Sequence, residues 1–239
     1  MIPKTIHYCW FGRGEMPDLA QKCVASWHKY MPNWEFKLWN EDNFDVNSVP
    51  YTKEAYEAKK YAFVSDYVRL WALYNEGGLY LDVDFEVFKP FDNLMGWNAF
   101  AGYEGSKHSP VMMGVVASCP DGIWVKEMLE DYRNRHFVLN DGILDLRTNV
   151  QYINAIMREN GFVQNGKEQN YKDLHIFPVE YFCPRQTTGE YLQTENTYCD
   201  HLGLGSWAEH DNGWKSRIGK AVGQKNMTRL IKLKRKLFG

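Results

Sequence analysis

An apolar helix pattern that ends at two glycines and runs straight into a strand pattern most constrains the fold of this 239-residue chain. Apolar side chains recur at helical spacing over residues 52–75, in one or two pieces. Gly77 and Gly78 suit the end of a helix, because glycine readily takes the left-handed backbone of a C-cap. Alternating side chains over residues 79–88 then predict a strand. A helix and a strand joined by so short a turn pack side by side, as they do in an α/β sheet.

The rest of the chain repeats this alternation of strands and helices, without an internal repeat or a low-complexity linker. The predicted strands are 3–10, 35–39, 79–88, 99–103, 111–118 and 175–178, and the predicted helices are 17–30, 52–75, 122–136 and 148–160. We therefore expect an α/β fold with a Rossmann-like, mostly parallel sheet flanked by helices. Functional loops then belong at the carboxyl ends of its strands.

Composition excludes several classes of protein. Hydrophobic residues make up 44% and charged residues 24% of the chain, which excludes wholesale disorder and a fibrous repeat. No apolar run approaches the roughly 18 residues of a membrane span, and the N-terminal segment lacks the features of a signal peptide. The five cysteines are scattered and form no CxxC pair, so neither a disulfide framework nor a zinc site is indicated. We expect a cytoplasmic protein.

Charge is distributed unevenly along the chain. Residues 215–239 contain nine basic side chains and no acidic one, whereas the other 214 residues hold 19 basic and 30 acidic side chains. We expect one domain over residues 1–214 and a basic helical tail over residues 215–239. The tail suits either docking on the anionic inner face of the cytoplasmic membrane or a solvated final helix packed on the domain. Nucleic acid is not an expected partner, because the acidic body would repel its phosphates.

Acidic residues stand at alternate positions of the predicted strand 79–88. Asp82, Asp84 and Glu86 fall on the same face as Tyr80, so Asp82 and Asp84 project to one side, one pleat apart. Two carboxylates at this spacing can share a divalent cation, and such a hard, open site suits Mg²⁺ or Mn²⁺ bound to a diphosphate. The alternative is a strand face that is simply solvated.

The preceding helix carries a charged pair in apolar surroundings. Asp66 and Arg69 are three residues apart, so they lie on one face of the helix. They form either a buried structural ion pair or a contact to a ligand. As ligand contacts, Asp66 would accept hydrogen bonds from sugar hydroxyls, and Arg69 would hold a hydroxyl or a phosphate with its planar fork.

The run SDYVRLWALYNEGGLYLDVD, residues 65–84, joins these two features. It resembles the signature of the DXD glycosyltransferases of family 32, which include bacterial capsule and lipopolysaccharide sugar transferases and yeast mannosyltransferases. The glucosylating domain of large bacterial toxins is a more distant relative with the same signature. The opening IPKTIHYCWFG is similar to the first strand of this family, and HLGLGSW, residues 201–207, is similar to its closing element. The three motifs occur in the family's order and span positions 2 to 207.

The resemblance implies a GT-A fold, a nucleotide-sugar donor, a Mn²⁺ or Mg²⁺ requirement and a retaining transfer. Asp82 matches the aspartate that contacts the ribose and sugar of the donor, and Asp84 matches the direct metal ligand. Asp66 and Arg69 match contacts to the donor sugar, and these four residues are the expected catalytic residues. The expected metal ligands are Asp84, Asp82, His201 and Ser206. The expected donor-binding residues are Ile6, His7, Tyr8, Trp10, Ser65, Asp66, Arg69, Asp82, Asn149, Ser206 and Trp207.

Several of these residues have a structural alternative. His201 is either a metal ligand or an ordinary loop histidine. Ser206 and Trp207 either close over the donor or form a turn with a core tryptophan. Trp10 is of a type more often found in the core. Asn149 suits a polar contact to the sugar or the acceptor, but asparagine is also a common helix cap.

The predicted retention of anomeric configuration does not identify the catalytic nucleophile. Retention usually requires a carboxylate on the face opposite the leaving group. Asp141 and Asp145 lie in a loop that either approaches the donor or is solvated. A same-face route, in which the leaving phosphate deprotonates the acceptor, needs no protein base.

The predicted function is therefore hexosyl transfer from a nucleotide-sugar, with UDP-hexose favoured, to a polysaccharide, lipopolysaccharide or lipid-linked acceptor. Such a reaction belongs to capsule or lipopolysaccharide biosynthesis. Two other functions are compatible with the sequence. One is a metal-dependent phosphohydrolase that uses the same carboxylates. The other is a non-catalytic carbohydrate-binding domain, which the aromatic content of 15% favours.

Overall fold

A seven-stranded sheet and a separate two-stranded sheet organise the computed structural model, which describes residues 1–105, 110–185 and 189–203. The strands are β1 Thr5–Cys9, β2 Glu35–Trp39, β3 Gly78–Leu81, β4 Phe85–Val87, β5 Ala99–Tyr103, β6 Val111–Ser118, β7 Gln169–Tyr171, β8 Leu174–Phe177 and β9 Cys199–His201. The α-helices are α1 Asp18–Tyr30, α2 Pro50–Glu57, α3 Tyr61–Glu76, α4 Ile123–Asp131 and α5 Asn149–Glu159. Single 3₁₀ turns occur at Asp92–Leu94, Tyr132–Asn134 and Val179–Tyr181.

The large sheet has the order β2-β1-β3-β6-β5-β8-β7 in the described part of the chain. Strands β2, β1, β3, β5 and β8 point the same way, whereas β6 and β7 run antiparallel to their neighbours. The predicted α/β fold with a mostly parallel, Rossmann-like sheet, as in the GT-A class, is confirmed. Strands β4 and β9 pair antiparallel as the second sheet.

Helices cover both faces of the large sheet, and each face has its own apolar core. The cluster on one side includes Trp124 of α4, and the cluster on the other includes Trp27 of α1; both indoles are fully buried. Successive residues of β3 alternate between the two, since Tyr80 belongs to the first cluster and Leu79 and Leu81 to the second. A strand that is buried on both faces shows no polar alternation, as is usual for the centre of a parallel sheet.

The junction between α3 and β3 forms as the glycine pair predicts. Gly77 ends α3 with φ near 66° and donates its N–H to the carbonyl oxygen of Leu73 at 3.0 Å. Gly78 has φ near 114°, and a Cβ added there would stand 2.6 Å from the carbonyl oxygen of Thr5 in β1. Glycine at this position therefore allows β1 and β3 to pair directly.

The predicted strand 79–88 is wrong as a continuous element. Strand β3 ends at Leu81, a turn closes when the Phe85 N–H donates to the carbonyl oxygen of Asp82 at 3.1 Å, and β4 starts at Phe85. Asp82 and Asp84 are therefore turn residues rather than neighbours on one strand face. The physical reason lies in the partners, because β3 pairs within the large sheet and β4 pairs with β9.

Strand β6 has a bulge next to this turn. Ala101 of β5 pairs with Val116, but Tyr103 pairs with Val111, so β6 holds three extra residues over that interval. A bulge re-aims backbone groups and side chains out of the regular ladder. Here it lies at the carboxyl end of β3, where functional loops are expected.

The elements described above lie within the compact unit Met1–Leu204. The predicted tail 215–239 falls outside the described residues, so the division at residue 214 stays a prediction. Within the described ranges, no helix is both long enough and apolar enough to cross a membrane.

We predict that Gly78→Ala destabilises the fold by roughly 2–3 kcal/mol, because alanine at this positive φ is strained and its Cβ meets backbone. Urea denaturation measures the change in the free energy of unfolding. Gly96→Ala is the matched control, since a Cβ there meets nothing within 4 Å. Equal effects of the two substitutions would contradict the close approach of β1 and β3.

Candidate functional site

A buried arginine connects helix α3 with the carboxyl end of β3. Arg69 is 5% exposed, and its Nη2 donates to Asp66 Oδ1 at 2.9 Å. Its Nη1 donates to the carbonyl oxygen of Met113, in the β6 bulge, at 2.7 Å and to Asp82 Oδ2 at 3.3 Å. Its Nε donates to the carbonyl oxygen of Ser65 at 3.3 Å. The predicted Asp66–Arg69 ion pair exists, and Arg69 also holds the first aspartate of the DxD motif.

Tyr80 completes the contacts of Asp82. Its hydroxyl donates to Asp82 Oδ1 at 2.9 Å, and its ring lies 4.6 Å from the Arg69 guanidinium carbon. Both oxygens of Asp82 therefore accept hydrogen bonds from the protein, while a third of its side chain stays exposed. We call Asp66, Arg69, Tyr80 and Asp82 the Arg69 cluster. The sequence pattern places Tyr80 on the face of Asp82, but their hydrogen bond is visible only in the structure.

Asp66 connects this cluster with helix α5. Its Oδ2 accepts the backbone N–H of Asn149, the first residue of α5, at 3.2 Å. The capping role considered for Asn149 belongs to Thr148, which forms a capping box with Gln151. The side-chain Nδ2 of Asn149 is buried and has no hydrogen-bond partner in the described part of the chain. A buried amide without a partner is costly, and a ligand oxygen would satisfy it.

The second aspartate of the motif contacts the predicted histidine. His201 in β9 donates from Nε2 to Asp84 Oδ2 at 3.2 Å, and its ring stacks on Phe85 at 4.5 Å between centroids. The antiparallel pairing of β4 with β9 brings these residues together, with Phe85 opposite His201. The structure therefore joins two motifs that are 117 residues apart in sequence.

The contact with Asp84 favours the protonated form of His201. Burial works to lower the pKa of His201, but the hydrogen bond to Asp84 and the neighbouring Cys183 raise it to about 11. A protonated imidazole donates to a carboxylate and cannot ligate a metal. The predicted role of His201 as a metal ligand thus requires loss of this proton.

Helix α1 fixes the segment that follows the DxD turn. The indole Nε1 of Trp27 donates to the carbonyl oxygen of Phe85 at 2.7 Å, and the hydroxyl of Ser26 accepts the N–H of Val87 at 2.9 Å. On the other side, a Cβ at Gly114 would stand 2.5 Å from the Phe85 ring and 3.0 Å from Asp82 Oδ2. The turn is therefore clamped between α1 and the β6 bulge.

Glu104 is a further acidic residue at this edge of the sheet that sequence reasoning missed. It follows β5 directly, is half-buried, and donates its N–H to the carbonyl oxygen of Pro110 at 3.1 Å. Burial raises the pKa of Glu104, the His201 charge lowers it, and the Asp82 charge raises it. Its position at the carboxyl end of a strand was the signal available in the sequence.

The opening strand contributes less than predicted. Ile6 and His7 are fully buried, and His7 uses both ring nitrogens inside the protein: Nε2 donates to the Gly77 carbonyl oxygen at 2.7 Å and Nδ1 accepts from Trp39 at 3.1 Å. Their side chains have no surface for a donor, which corrects their predicted role. The reason is that β1 lies between β2 and β3 and is covered on both faces, so that neighbouring residues on opposite sides are both buried.

Three other residues that are predicted to bind the donor are partly exposed to solvent. Tyr8, Trp10 and Ser65 are half-buried. Trp10 Nε1 donates to the Gly14 carbonyl oxygen at 2.6 Å, and Ser65 Oγ donates to the Tyr61 carbonyl oxygen at 3.3 Å. Ser206 and Trp207 lie outside the described residues.

The two candidate nucleophiles have structural contacts. Asp145 is 5% exposed and accepts hydrogen bonds from Arg147 and Tyr152. Burial alone would raise the pKa of Asp145, but these hydrogen bonds lower it to about 2. Asp141 is exposed and accepts the N–H of Ile143 at 3.0 Å. Neither carboxylate contacts the Arg69 cluster within the described residues.

The residues at the turn fit an open divalent-cation site. Asp84 supplies carboxylate oxygens, and Asp82 and His201 flank it, which suits Mn²⁺ or Mg²⁺ with most positions left for a diphosphate and water. In the described residues no group of three or more His, Cys, Asp or Glu gathers around one point. This donor set is therefore poorer in ligands than a closed structural site.

The comparison with protein families bears directly on this turn. Residues 17–101 match the family described as glycosyltransferase sugar-binding region containing DXD motif. The chain carries a DXD glycosyltransferase region. This match confirms the predicted enzyme class, glycosyltransferase, and covers α1, the Arg69 cluster and the DxD turn.

Curated relatives carry corresponding names. An inositol phosphoceramide mannosyltransferase of Schizosaccharomyces pombe is 32% identical over 106 residues, which are 41% of this chain and 29% of the yeast protein. An uncharacterised glycosyltransferase of Acanthamoeba polyphaga mimivirus is 25% identical over 222 residues, which are 88% of this chain and 85% of the viral protein. The chain thus spans less than a third of the yeast relative.

Among solved structures, a glycosyltransferase involved in glycosylation of the major capsid of PBCV-1 is similar, with a TM-score of 0.47 and 13% identity. The similarity covers 91% of this chain and 98% of that protein.

We predict that Arg69→Met lowers the free energy of unfolding by about 3–5 kcal/mol, because it leaves Asp66, Asp82 and a carbonyl oxygen without their donor. Arg13→Met is the control, since Arg13 pairs with Asp42 while more than half of each side chain is exposed. Such a surface pair contributes no more than about 1 kcal/mol. Urea denaturation of both variants measures the difference, and similar losses would refute the role assigned to the Arg69 cluster.

A pH dependence follows from Asp66. Burial raises the pKa of Asp66 from 3.8 to about 6, against the opposing effects of Arg69 and the Asn149 N–H. Between about pH 4 and 6 the folded state holds this proton more tightly than the unfolded chain, so stability falls as pH rises through this window. The contribution is at most roughly 3 kcal/mol.

Asp66→Asn is expected to remove this slope, and above about pH 6 it also lowers stability by breaking the ion pair with Arg69. Chemical denaturation across the window measures it for the wild type, this variant and Asp42→Asn, which alters an exposed carboxylate. The prediction fails if the pH slopes of the wild type and Asp66→Asn coincide.

Proposed function

We propose that the protein is a family 32 type, metal-dependent, retaining glycosyltransferase that moves a hexose from a nucleotide-sugar, with UDP-hexose favoured, to a glycan or lipid-linked acceptor. The observation that carries the proposal is the DxD turn, in which Asp82 is held by Arg69 and Tyr80 while Asp84 faces His201. The two aspartates thus have different surroundings, as their different proposed tasks require.

Asp84, with Asp82 and His201 beside it, would hold Mn²⁺ or Mg²⁺. When bound, the ion neutralises the charge that develops on the departing nucleotide diphosphate. Asp82 is positioned to accept from hydroxyls of the ribose and sugar, because Arg69 and Tyr80 fix its orientation and a third of its side chain stays exposed. Fixed groups of this kind stabilise a transition state without reorganising.

The donor sugar is proposed to lie between the Arg69 cluster and α5. Asn149 supports this placement, because its buried Nδ2 has no partner within the described ranges. Asp66 and Arg69 then act mainly on other residues, by orienting Asp82 and the start of α5. The proposed contacts to the donor also include Ser65, Tyr8, Trp10, Ser206 and Trp207.

A same-face route is the favoured form of retention. Asp66 and Asp82 accept hydrogen bonds from Arg69, and Asp145 accepts from Arg147 and Tyr152. These partners lower the nucleophilicity of the carboxylates. In the same-face route the leaving phosphate takes the acceptor proton, and catalysis rests on positioning and electrostatics.

A lipid-linked acceptor receives support from the yeast relative, whose name states mannosyl transfer to inositol phosphoceramide. We propose polysaccharide or lipopolysaccharide synthesis at the inner face of the cytoplasmic membrane as the setting, with the basic tail 215–239 as a contact to that surface.

The test is thermal stabilisation by UDP-glucose, UDP-galactose and GDP-mannose, with and without Mn²⁺. A ligand at 100 times its dissociation constant stabilises by about 2.7 kcal/mol, which raises Tm by roughly 5–10 °C for a chain of this size. We expect such a shift with one donor and Mn²⁺ in the wild type and in Asp42→Asn, but not in Asp84→Asn. Stabilisation that is independent of both Mn²⁺ and Asp84 would indicate the carbohydrate-binding alternative.

Product analysis separates transfer from hydrolysis. Mass spectrometry of the donor incubated with a candidate acceptor should reveal a new glycoside. Release of phosphate products alone, from every acceptor and with acceptor in excess, would favour the phosphohydrolase.

A further inference from the structure

Buried polar atoms without a partner gather at one place in the fold. Six buried side-chain nitrogen and oxygen atoms have no hydrogen-bond partner among the described residues. Four of these atoms belong to one group of residues, which we call the Tyr51 cluster: Tyr51, Tyr132, Arg135 and Asn149. An unpaired buried polar atom lowers stability, so four in one place call for an explanation.

Contacts hold the members of the Tyr51 cluster around Asp66. The rings of Tyr51 and Tyr132 pack edge to face with centroids 4.9 Å apart, and the guanidinium carbon of Arg135 lies 4.6 Å from the Tyr132 centroid. The backbone N–H of Asn149 donates to Asp66 Oδ2 at 3.2 Å. Burial raises the pKa of the Tyr51 and Tyr132 hydroxyls, and the nearby Asp66 charge raises both further. The cluster therefore adjoins the sugar site proposed beside Asp66.

Packing does not account for the two tyrosine hydroxyls. Tyr51 is 0% exposed and Tyr132 is 1% exposed, and their rings contact the aromatic rings of Phe137 and Tyr67 respectively. Phenylalanine would make the same ring contacts without burying an unpaired hydroxyl. Residues that lower stability in this way are expected at functional sites.

The hydrogen-bonding chemistry of the cluster defines the group that would satisfy it. Arg135 Nη1 and Asn149 Nδ2 can only donate, whereas the hydroxyls of Tyr51 and Tyr132 both donate and accept. A partner must therefore offer acceptor oxygens, and it can also donate. Sugar hydroxyls have both properties.

Charge argues against an anionic partner. Three arginines in and around the cluster each pair with an aspartate: Arg69 with Asp66, Arg135 with Asp131 and Arg147 with Asp145. An anion would therefore lose its hydration without gaining a free counter-charge from these arginines. A neutral ligand that carries hydroxyl groups suits the cluster better.

We propose that Tyr51, Tyr132 and Asn149 form a hydroxyl-binding subsite that selects a neutral, hydroxylated hexose in the nucleotide-sugar donor. The proposal rests on the proposed function and extends its sugar site past Asp66, away from the DxD turn. The four unpaired atoms are closed to solvent, so a sugar reaches them only with a local movement of the protein. The hydrogen bonds gained on binding offset the cost of that movement.

Thermal denaturation distinguishes a ligand subsite from a structural cluster. Tyr51→Phe and Tyr132→Phe each remove an unpaired buried hydroxyl, so each should raise Tm by roughly 2–4 °C. Tyr171→Phe is the matched control, because Tyr171 is 7% exposed and its hydroxyl donates to Glu127 Oε2 at 3.2 Å. Loss of that bond should lower Tm by roughly 2–4 °C. A similar fall in the two cluster variants would show that ordered water already satisfies their hydroxyls, and it would overturn the proposal.

Calorimetric titration of the full chain with Mn²⁺ measures the contribution of the sugar. The probes are UDP-glucose, UDP-galactose and GDP-mannose, each compared with UDP or GDP alone. Tyr51→Phe/Tyr132→Phe should raise the Kd of the nucleotide-sugar that binds by about tenfold or more, with less than about a twofold change for the nucleotide diphosphate. Tyr171→Phe should bind both like the wild type. Tighter binding of UDP-glucuronate than of all three neutral donors would refute the neutral ligand.

The same titration separates this proposal from the proposed function. A nucleotide-sugar that binds equally well to the wild type and to Tyr51→Phe/Tyr132→Phe would refute the subsite alone. A wild type that binds neither nucleotide-sugars nor nucleotide diphosphates would refute the proposed function, and the subsite with it.

Discussion

The architecture around the DxD turn depends on one buried guanidinium. Arg69 bonds to Asp66 on its own helix, to Asp82 after β3 and to the Met113 carbonyl oxygen in the β6 bulge. Burying a cation is costly unless several partners satisfy it, and here the guanidinium makes four hydrogen bonds, to α3, to Asp82 and to β6. Arg69 therefore sets the distance between helix and sheet, and with it the orientation of Asp82.

The strand order explains why the site lies where it does. Strands β1 and β3 run parallel, but the antiparallel β6 follows β3 and brings its bulge to the carboxyl end of β3. The Gly114 carbonyl oxygen accepts the Asp82 N–H at 2.8 Å, and the missing Cβ of Gly114 leaves room for the Asp82 carboxylate. Contacts with the neighbouring strand β6 therefore fix the conformation of the DxD turn.

Local patterns in the sequence were sufficient for most elements. The bounds predicted for 35–39, 99–103 and 111–118 are those of β2, β5 and β6, because apolar runs bounded by turn residues are strong signals. Strands β7 and β9 were missed, since three-residue strands rich in polar residues carry no such pattern. The Asp66–Arg69 pair was visible as a helix spacing. The DxD turn and the burial of Ile6 and His7 depend on partners distant in sequence, which periodicity cannot reveal.

The small β4–β9 sheet has a consequence for how the protein is made. Asp84 and His201 are 117 residues apart, and they meet only when β9 returns to β4. During synthesis the Arg69 cluster can assemble once β6 has emerged, whereas the contact between Asp84 and His201 must wait until β9 emerges, and β9 starts only at Cys199. A nascent chain would therefore hold the surroundings of Asp82 in place well before Asp84 gains its contact with His201.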